Sequence, residues 1–341
     1  MTSAAPSGRL RIGLVGAGSV GTDHVRAAAG AVSYEIAAVC DTRRELAGQL
    51  APPGAPVFTE HQEMFARAGL DAVIITAPHS LHLPMTLEAA RAGLHVLVEK
   101  PMATTVEDCT TMIAACERAG VLLAVGHVIH FDPVAREARR ILTSGRYGTP
   151  HLIAHRRSAH YTPGSRPSWF FDPVVAGGGI VLNVGTHGLD RIQWFAGSPV
   201  ARVTGTVRGR PGMDVETDAL ALIDLENGVS ANITLTSRGV PFYDETEIML
   251  DEATLRLSHH DGLSLLRGGR SEPLADRGPG HERAFRAQLD GFAAAVRGED
   301  AAAYVTGDYG RSVVAAALAV YAASERAAPV VLGAPAPVPA S

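Results

Sequence analysis

The stretch that decides the reading runs Arg9-Leu-Arg-Ile-Gly-Leu-Val15-Gly16-Ala17-Gly18-Ser19-Val20-Gly21. A short apolar run from Arg9 to Val15 meets three glycines spaced Gly-x-Gly-x-x-Gly, and an Ala-rich helical segment follows to about Ala31. Alone, three glycines say little in a chain that holds 36 of them. Their context says more. A strand precedes them, a helix follows, and the next strand-like run, Glu35 to Cys40, ends at an acid, Asp41, 20 residues beyond Gly21 (41 − 21). In such a unit the first glycine permits the tight turn, the second lets the backbone approach a pyrophosphate, and the third lets helix and strand pack closely. The free N–H groups at the helix N-terminus then favour the phosphates. Asp41 accepts hydrogen bonds from ribose hydroxyls and repels a 2′-phosphate, so the pattern predicts NAD rather than NADP. Arg43 and Arg44 temper that preference, because a nearby arginine accommodates the phosphate. The cofactor-binding candidates here are Gly16, Ala17, Gly18, Ser19, Val20, Gly21, Asp41, Thr42 and Arg43.

Working outward, strands and helices alternate. Arg43 to Leu50 reads as a helix that stops before Pro52-Pro53-Gly54, and Asp71 to Thr76 as a buried strand. Leu83 to Ala92 is a helix closed by Gly93, Leu94 to Val98 a strand, Val106 to Ala119 a helix closed by Gly120, and Val121 to Val125 a strand. One helix between successive strands implies a doubly wound parallel α/β sheet with right-handed crossovers. After about residue 128 the rhythm changes. Pro133 to Ser144 is helical, and strands are expected from His151 to Ser158 and at Arg202–Val207, Ala219–Leu225, Val229–Ser237, Glu247–Leu250 and Thr254–Leu257. Glu226-Asn227-Gly228 reads as a hairpin turn, since Asn-Gly tolerates positive φ. Helices at about Glu282–Arg297 and Asp308–Arg326 close the chain. The expected organisation is a disordered tail over 1–8, a dinucleotide-binding domain over 9–128, an α+β domain with a mainly antiparallel open sheet over 129–332, and a disordered Ala/Pro tail over 333–341.

Composition removes whole classes of function. The chain has 341 residues, 46% hydrophobic and 19% charged, which suits about two folded domains and excludes bulk disorder. A net charge of −5 gives no electrostatic reason to hold nucleic acid. No apolar run reaches the ~18 residues that span a membrane. Three cysteines, Cys40, Cys109 and Cys116, without metal-ligand spacing favour a reducing, cytoplasmic setting. Fourteen histidines, among them His151, His155 and His160, raise the question of a metal. No His-Glu-x-x-His or paired-cysteine spacing accompanies them, so no metal site is expected.

One count is pointed. Of 30 basic residues, 29 are arginine and the single lysine is Lys100. Lysine offers a compact point charge that can lose its proton when buried, and arginine offers neither property. Lys100 follows a strand, which places it at the carboxyl edge of the sheet, where ligands bind in such folds. His127 also follows a strand, so it too could edge the cleft and is a cofactor-binding candidate. Asn183, His187 and Asp190 are spaced i, i+4, i+7 and line one face of a helix.

Together these motifs resemble the glucose–fructose oxidoreductase / inositol dehydrogenase (Gfo/Idh/MocA) family over nearly the whole chain. The matching elements are Gly16–Gly21, Asp41, Thr76-Ala77-Pro78-His79-Ser-Leu-His82, Glu99-Lys100-Pro101, Val125-Gly126-His127, and Gly177-Gly-Gly-Ile-Val-Leu-Asn183-Val-Gly-Thr-His187-Gly-Leu-Asp190. The resemblance implies a Rossmann domain and hydride transfer between a nicotinamide cofactor and a ring secondary alcohol of a sugar, inositol or related glycoside. It implies that Lys100 touches the substrate hydroxyl and the cofactor side of the cleft, that His187 is the catalytic histidine, and that Thr76, Ala77, Pro78, His82 and Glu99 lie along the cofactor. It also implies a homodimer or homotetramer formed through the open sheet. The polar face of Val229–Thr236 (Ser230, Asn232, Thr234, Thr236) suits that interface or water equally.

The chemistry is consistent with these roles. Hydride leaves carbon only as the hydroxyl proton departs, and an imidazole can take and return a proton near neutral pH. Asn183 departs from the family pattern, in which many members carry Asp, because an amide can orient a hydroxyl but cannot accept its proton. The catalytic candidates are therefore Lys100, His187 and Asn183, with Asp190 fixing the helix. Trp169 could wall the nicotinamide or the sugar, or equally be a buried core residue, and Tyr161, Arg156 and Arg166 are candidate specificity contacts. Two rival readings remain open: a redox-neutral, NAD-dependent glycoside-cleaving enzyme, and a non-catalytic NAD- or sugar-binding sensor.

Overall fold

Residues 8–238, 241–276, 278, 280–299 and 304–333 are described in the computed structural model. The two predicted disordered tails lie outside the described residues apart from Gly8 and Gly333. The described residues form two units, one running to Phe131 and taking in His281–Gly310, the other comprising Asp132–Gly280 and the residues from Arg311 to Gly333.

In the first unit the order is β1 (Leu10–Val15), α1 (Ser19–Ala28), β2 (Tyr34–Cys40), α2 (Arg44–Leu50), β3 (Val57–Phe58), α3 (His61–Arg67), β4 (Ala72–Ile75), α4 (His82–Arg91), β5 (His95–Glu99), α5 (Val106–Ala119) and β6 (Leu123–Gly126). The six strands form a parallel sheet in the order β3-β2-β1-β4-β5-β6. This is the doubly wound arrangement, with the reversal of strand order between β1 and β4. Strand β4, Ala-Val-Ile-Ile, is wholly buried, as a strand covered on both faces must be. Helix α5 shows why the boundaries fall where they do. The Thr105 hydroxyl accepts the Asp108 N–H at 3.0 Å at its start, and Gly120, at φ 67°, ends it in the left-handed region.

The second unit contains α6 (Pro133–Thr143), β7 (Pro150–Ser158), α7 (Pro173–Ala176), α8 (Thr186–Ala196), β8 (Val200–Gly209), β9 (Glu216–Leu225), β10 (Ser230–Thr236), β11 (Tyr243–Leu250), β12 (Thr254–Ser258), β13 (Gly262–Arg267) and β14 (Arg270–Ala275). Two helices and a short strand follow: α9 (Gly280–Val296), α10 (Gly307–Arg326) and β15 (Val330–Val331). The nine-stranded sheet runs β14-β13-β12-β11-β7-β10-β9-β8-β15, antiparallel throughout except for the β7–β10 pair. In β10, Ala231, Ile233 and Leu235 are buried and the alternate residues half-exposed, the expected two-sided pattern. The same outer face carries Leu152, Leu220 and Leu222, which are 41%, 50% and 63% exposed.

One boundary differs from the sequence-based expectation. Residues 129–332 do not form a single piece, because His281–Gly310 joins the first unit. Phe285, Leu289 and Phe292 of α9 are buried with Leu10, Ile12, Ile74 and Leu97 of the parallel sheet. Each such side chain contributes roughly 1.5–3 kcal/mol on burial. An amphipathic helix pattern announces that a face is buried but not against what. Among the described residues, no helix is long and apolar enough to cross a membrane.

Candidate active site

In the first unit the parallel strands bring the sequence candidates to one edge. Gly16 follows β1, Asp41 follows β2, Thr76 follows β4, Lys100 follows β5 and His127 follows β6. The glycine turn is built as its spacing predicts. Gly16 has φ 101°, and a Cβ there would lie 2.6 Å from the Thr76 hydroxyl oxygen. A Cβ on Gly21 would overlap the carbonyl oxygen of Gly16. At Gly18, by contrast, a Cβ would meet nothing within 4 Å. The turn is thus closed at its first and third glycines and open over the second, where a phosphate needs room. Helix α1 begins there with no capping side chain and no acid in its first turn. Its first intrahelical bond is Thr22 N–H to Gly18 O at 3.0 Å, so the amides of Ser19, Val20 and Gly21 remain available to an anion. These features fit a dinucleotide.

Asp41 is fixed from two sides. Its Oδ2 accepts the Ala17 N–H and its Oδ1 the Arg43 N–H, both at 2.8 Å. The carboxylate therefore spans the glycine turn and the end of β2, and Oδ2 keeps a lone pair for a further donor. The Arg43 guanidinium lies 3.4 Å from Oδ1 with its side chain 69% exposed. Thr42 is exposed. The Thr76 hydroxyl lies 3.0 Å from Val15 O and 2.8 Å from Gly16 O, which ties the end of β4 to the turn.

The Glu99-Lys100-Pro101 segment is held from both flanks. Glu99 is buried, its Oε1 receiving His24 Nε2–H at 2.9 Å and its Oε2 the Lys100 N–H at 3.2 Å. Burial alone would raise the Glu99 pKa. The hydrogen bond and charge of His24, then the charge and amide of Lys100, hold it below the ordinary carboxylate value. Gly126 makes room for this carboxylate, since a Cβ there would sit 2.7 Å from Oε1. Lys100 is half-buried and its bond to Pro101 is cis.

His82 is fully buried, with Nε2 2.9 Å from Ala77 O and Nδ1 3.0 Å from Pro101 O. Its ring bridges the loops after β4 and β5, and burial lowers its pKa. Both nitrogens are turned to main-chain carbonyls, so His82 shapes the edge rather than offering a nitrogen to a ligand. Pro78 caps the short 3₁₀ turn His79–Leu81. His127 is buried against the Tyr309 ring, with centroids 5.9 Å apart.

In the second unit the triple glycine has a separate reason for each position. Gly177 ends α7 at φ 77°. A Cβ on Gly178 would overlap the Tyr321 hydroxyl, and one on Gly179 would overlap the backbone of Glu216. The half-buried Glu216 carboxylate accepts the Gly179 and Val181 N–H groups, each at 2.8 Å, and the Tyr321 hydroxyl at 2.7 Å. Burial lifts its pKa in spite of these donors. This clamp fixes the start of a π-helical turn, Val181–Gly185, which runs into α8.

The π turn corrects one expectation. Asn183, His187 and Asp190 do not lie along one regular α-helix, because the wider turn breaks the i, i+4 register between 183 and 187. Asn183 is buried, and its amide donates to the Tyr161 hydroxyl at 3.1 Å. That hydroxyl donates to Phe170 O at 2.8 Å. Asn183 thereby anchors the loop that carries Trp169, whose ring lies 3.9 Å from that of Phe170. Asp190 is fully buried in α8. Every residue from Gly178 to Ala196 is buried except His187, which is half-exposed.

The softer candidates each have partners within the second unit. His155 is fully buried, hydrogen-bonded through Nδ1 to the Thr246 hydroxyl at 2.9 Å, and burial pushes its pKa down to about 3. His151 pairs with Asp251 at 2.5 Å, and His160 lies 3.3 Å from the Thr162 hydroxyl. Among the described residues, no group of three or more His, Cys, Asp or Glu could hold a metal ion. Arg156 stacks on Tyr243, and Arg166 on Tyr161 and Phe170.

His24, Glu216 and Tyr321 escaped the sequence reading. His24 did leave a signal: it shares the Gly21–Ala28 face of α1, and a polar residue on a core-facing stripe must find a partner. Glu216 and Tyr321 left none, since their partners are 35 to 139 residues away.

Comparison with known proteins agrees with this architecture. Residues 10–127 match the oxidoreductase family with an NAD-binding Rossmann fold, and residues 135–256 match the GFO/IDH/MocA C-terminal domain. The chain is 30% identical to inositol 2-dehydrogenase 2 of Saccharopolyspora erythraea over 333 residues, covering 94% of this chain and 95% of that protein. The aldose–aldose oxidoreductase of Caulobacter crescentus, solved with glycerol, superposes with a TM-score of 0.84 at 25% identity, covering 95% of this chain and all (100%) of that one. A levoglucosan dehydrogenase solved with NADH has the same fold, with a TM-score of 0.85 at 20% identity over 95% of this chain and 99% of that one. Both halves of the chain and a full-length relative thus lead to one assignment: this protein belongs to the Gfo/Idh/MocA family of oxidoreductases.

Proposed function

We propose that the protein is an NAD-dependent dehydrogenase acting on a ring secondary alcohol of an inositol, a sugar or a related glycoside. The observation that carries this reading is the lone half-exposed residue of the Gly178–Ala196 run, His187. A helix buried nearly all round leaves open the one side chain able to exchange a proton at neutral pH. The names of the relatives, an inositol dehydrogenase and an aldose–aldose oxidoreductase, support the substrate class.

When bound, the nicotinamide supplies a hydride acceptor. The protein supplies the rest. The open backbone at Gly18 and the amides opening α1 receive the pyrophosphate, and Asp41 receives the ribose hydroxyls and disfavours a 2′-phosphate. Lys100 provides the positive charge that stabilises a developing alkoxide. His187 takes the hydroxyl proton, and Asn183, an amide, holds its neighbourhood in place without entering the proton path. The exposed leucines of the open sheet support a homo-oligomer formed there, and three buried cysteine thiols support a cytoplasmic setting.

The test is turnover with NAD on a panel of inositols and aldoses, followed by absorbance of the reduced cofactor. Lys100→Met and His187→Ala are each expected to lower kcat at least a hundredfold while NAD affinity stays within a few-fold. Tight NAD binding without turnover on any polyol would sink the dehydrogenase reading. Glycoside cleavage without net reduction would establish the redox-neutral alternative, and binding alone the sensor.

A further inference from the structure

His24 has no part in the roles assigned above, yet its imidazole is fully buried in the helix that opens the dinucleotide site. A carboxylate only accepts, so Nε2 carries the proton that it donates to Glu99 Oε1 at 2.9 Å. The other oxygen of that carboxylate accepts the amide of Lys100 at 3.2 Å. Gly126 closes the third side, with no space for a Cβ beside the carboxylate. The edge of the His24 ring meets Phe285, centroids 4.9 Å apart at 88°, so the imidazole has little freedom to turn away. One continuous contact path therefore runs from α1 through His24 and Glu99 to the backbone of Lys100.

We infer that His24 is a positioning residue for the reaction: acting through Glu99, it fixes the main chain of Lys100 relative to helix α1. This rests on the role proposed for Lys100 and deepens it. A buried carboxylate with only one partner would turn toward other donors or take up a proton, and either change would release the Lys100 amide. The device links the helix expected to hold the cofactor phosphates to the residue expected to meet the reacting hydroxyl. A misplacement of one ångström in such a group costs orders of magnitude in rate.

The protein contains a single lysine, so labelling with ¹⁵N-lysine yields one backbone amide signal, that of Lys100, whatever the substrate proves to be. In the wild-type protein that amide proton should resonate downfield and exchange slowly. His24→Leu and Glu99→Gln should each move it upfield and speed its exchange, and the double variant should move it no further than either single one. His24→Gln, whose amide can still donate to Glu99, should restore most of the wild-type position. Phe285→Leu, which loosens the same packing without touching the carboxylate, should leave the signal in place. Once a substrate is in hand, His24→Leu should lower kcat about tenfold or more with KM for NAD little changed. An unmoved Lys100 signal in folded His24→Leu would overturn the inference, as would an equal shift in Phe285→Leu. A failed polyol panel bears only on the proposed function, because the amide signal needs no substrate.

Discussion

Glu216 and Tyr321, 105 residues apart in sequence, meet oxygen to oxygen at 2.7 Å beneath the triple glycine. Their contact is what gives the Gly177–Gly179 loop its shape. The carboxylate takes the Gly179 and Val181 amides, and the hydroxyl lies 3.2 Å from the Leu182 N–H. Glu216→Gln replaces an acceptor with an NH₂ group facing donors. It should cost about 1–3 kcal/mol of stability, read as a lower urea midpoint at unchanged m-value. Tyr321→Phe, which leaves the carboxylate its two amides, should cost less. A wild-type midpoint in Glu216→Gln would show that the clamp contributes nothing.

The three fingerprint glycines should separate binding from folding. Gly18→Ala adds a methyl to open space, so the melting temperature should hold while NAD affinity falls roughly tenfold or more. Gly21→Ala drives a methyl into the Gly16 carbonyl and should destabilise the protein by roughly 1–3 kcal/mol. Calorimetric titration with NAD and a thermal melt distinguish the two. The reverse pattern would mean that the phosphates do not lie over Gly18.

Acid should weaken the second unit through His155. Its folded pKa is pushed down to about 3 by burial, with Arg191 and Arg157 adding to the effect and Asp244 opposing it. Unfolded, the imidazole titrates near 6.5, so between these values the unfolded chain binds the extra proton. Stability from this group is complete above about pH 6.5 and declines as pH falls toward 3, by about 1.4 kcal/mol per unit at most. At pH 5 the loss relative to pH 7 should be roughly 2 kcal/mol. Urea titrations at the two pH values measure it, and His155→Leu should flatten the difference. An equally steep decline in that variant would assign the acid sensitivity elsewhere.

The open sheet face should mediate self-association. Leu220 and Leu222 project from β9, and Leu152 from β7, beside the hydroxyls of β10. Leu222→Glu places a charge in that patch and should shift the protein to a smaller species in light scattering without a loss of melting temperature. A wild-type protein that is already monomeric at micromolar concentration would remove the sheet as an interface.

The strands that carry the site were legible because they are regular. In β1, β4 and β5 the apolar runs are buried on both faces, and Gly120 ends α5 where its lack of a side chain allows. Other elements resisted for physical reasons. Strand β14 (Arg270–Ala275) has no buried residue to produce alternation, and β3 and β15 are two residues each. The π turn at Val181–Gly185 has the composition of an α-helix, so nothing local reveals that Asn183 and His187 fall out of register. Lys100 stood out by rarity, and His187 by motif. Glu216, which holds the start of the π turn, and His24, which holds Glu99, act through partners 35 and 75 residues away, which no local pattern names.

The return of His281–Gly310 to the first unit has a consequence for biosynthesis. A ribosome has finished every strand of the parallel sheet by Gly126, yet Phe285, Leu289 and Phe292 emerge more than 150 residues later (285 − 126). Throughout that interval the nascent sheet lacks part of its apolar cover, and a truncated product ending near residue 270 would keep Leu10, Ile12 and Leu97 deprived of it. The last fifth of the message thus decides whether the earliest-made element stays soluble, and a swap of the second unit between relatives needs three splice points rather than one.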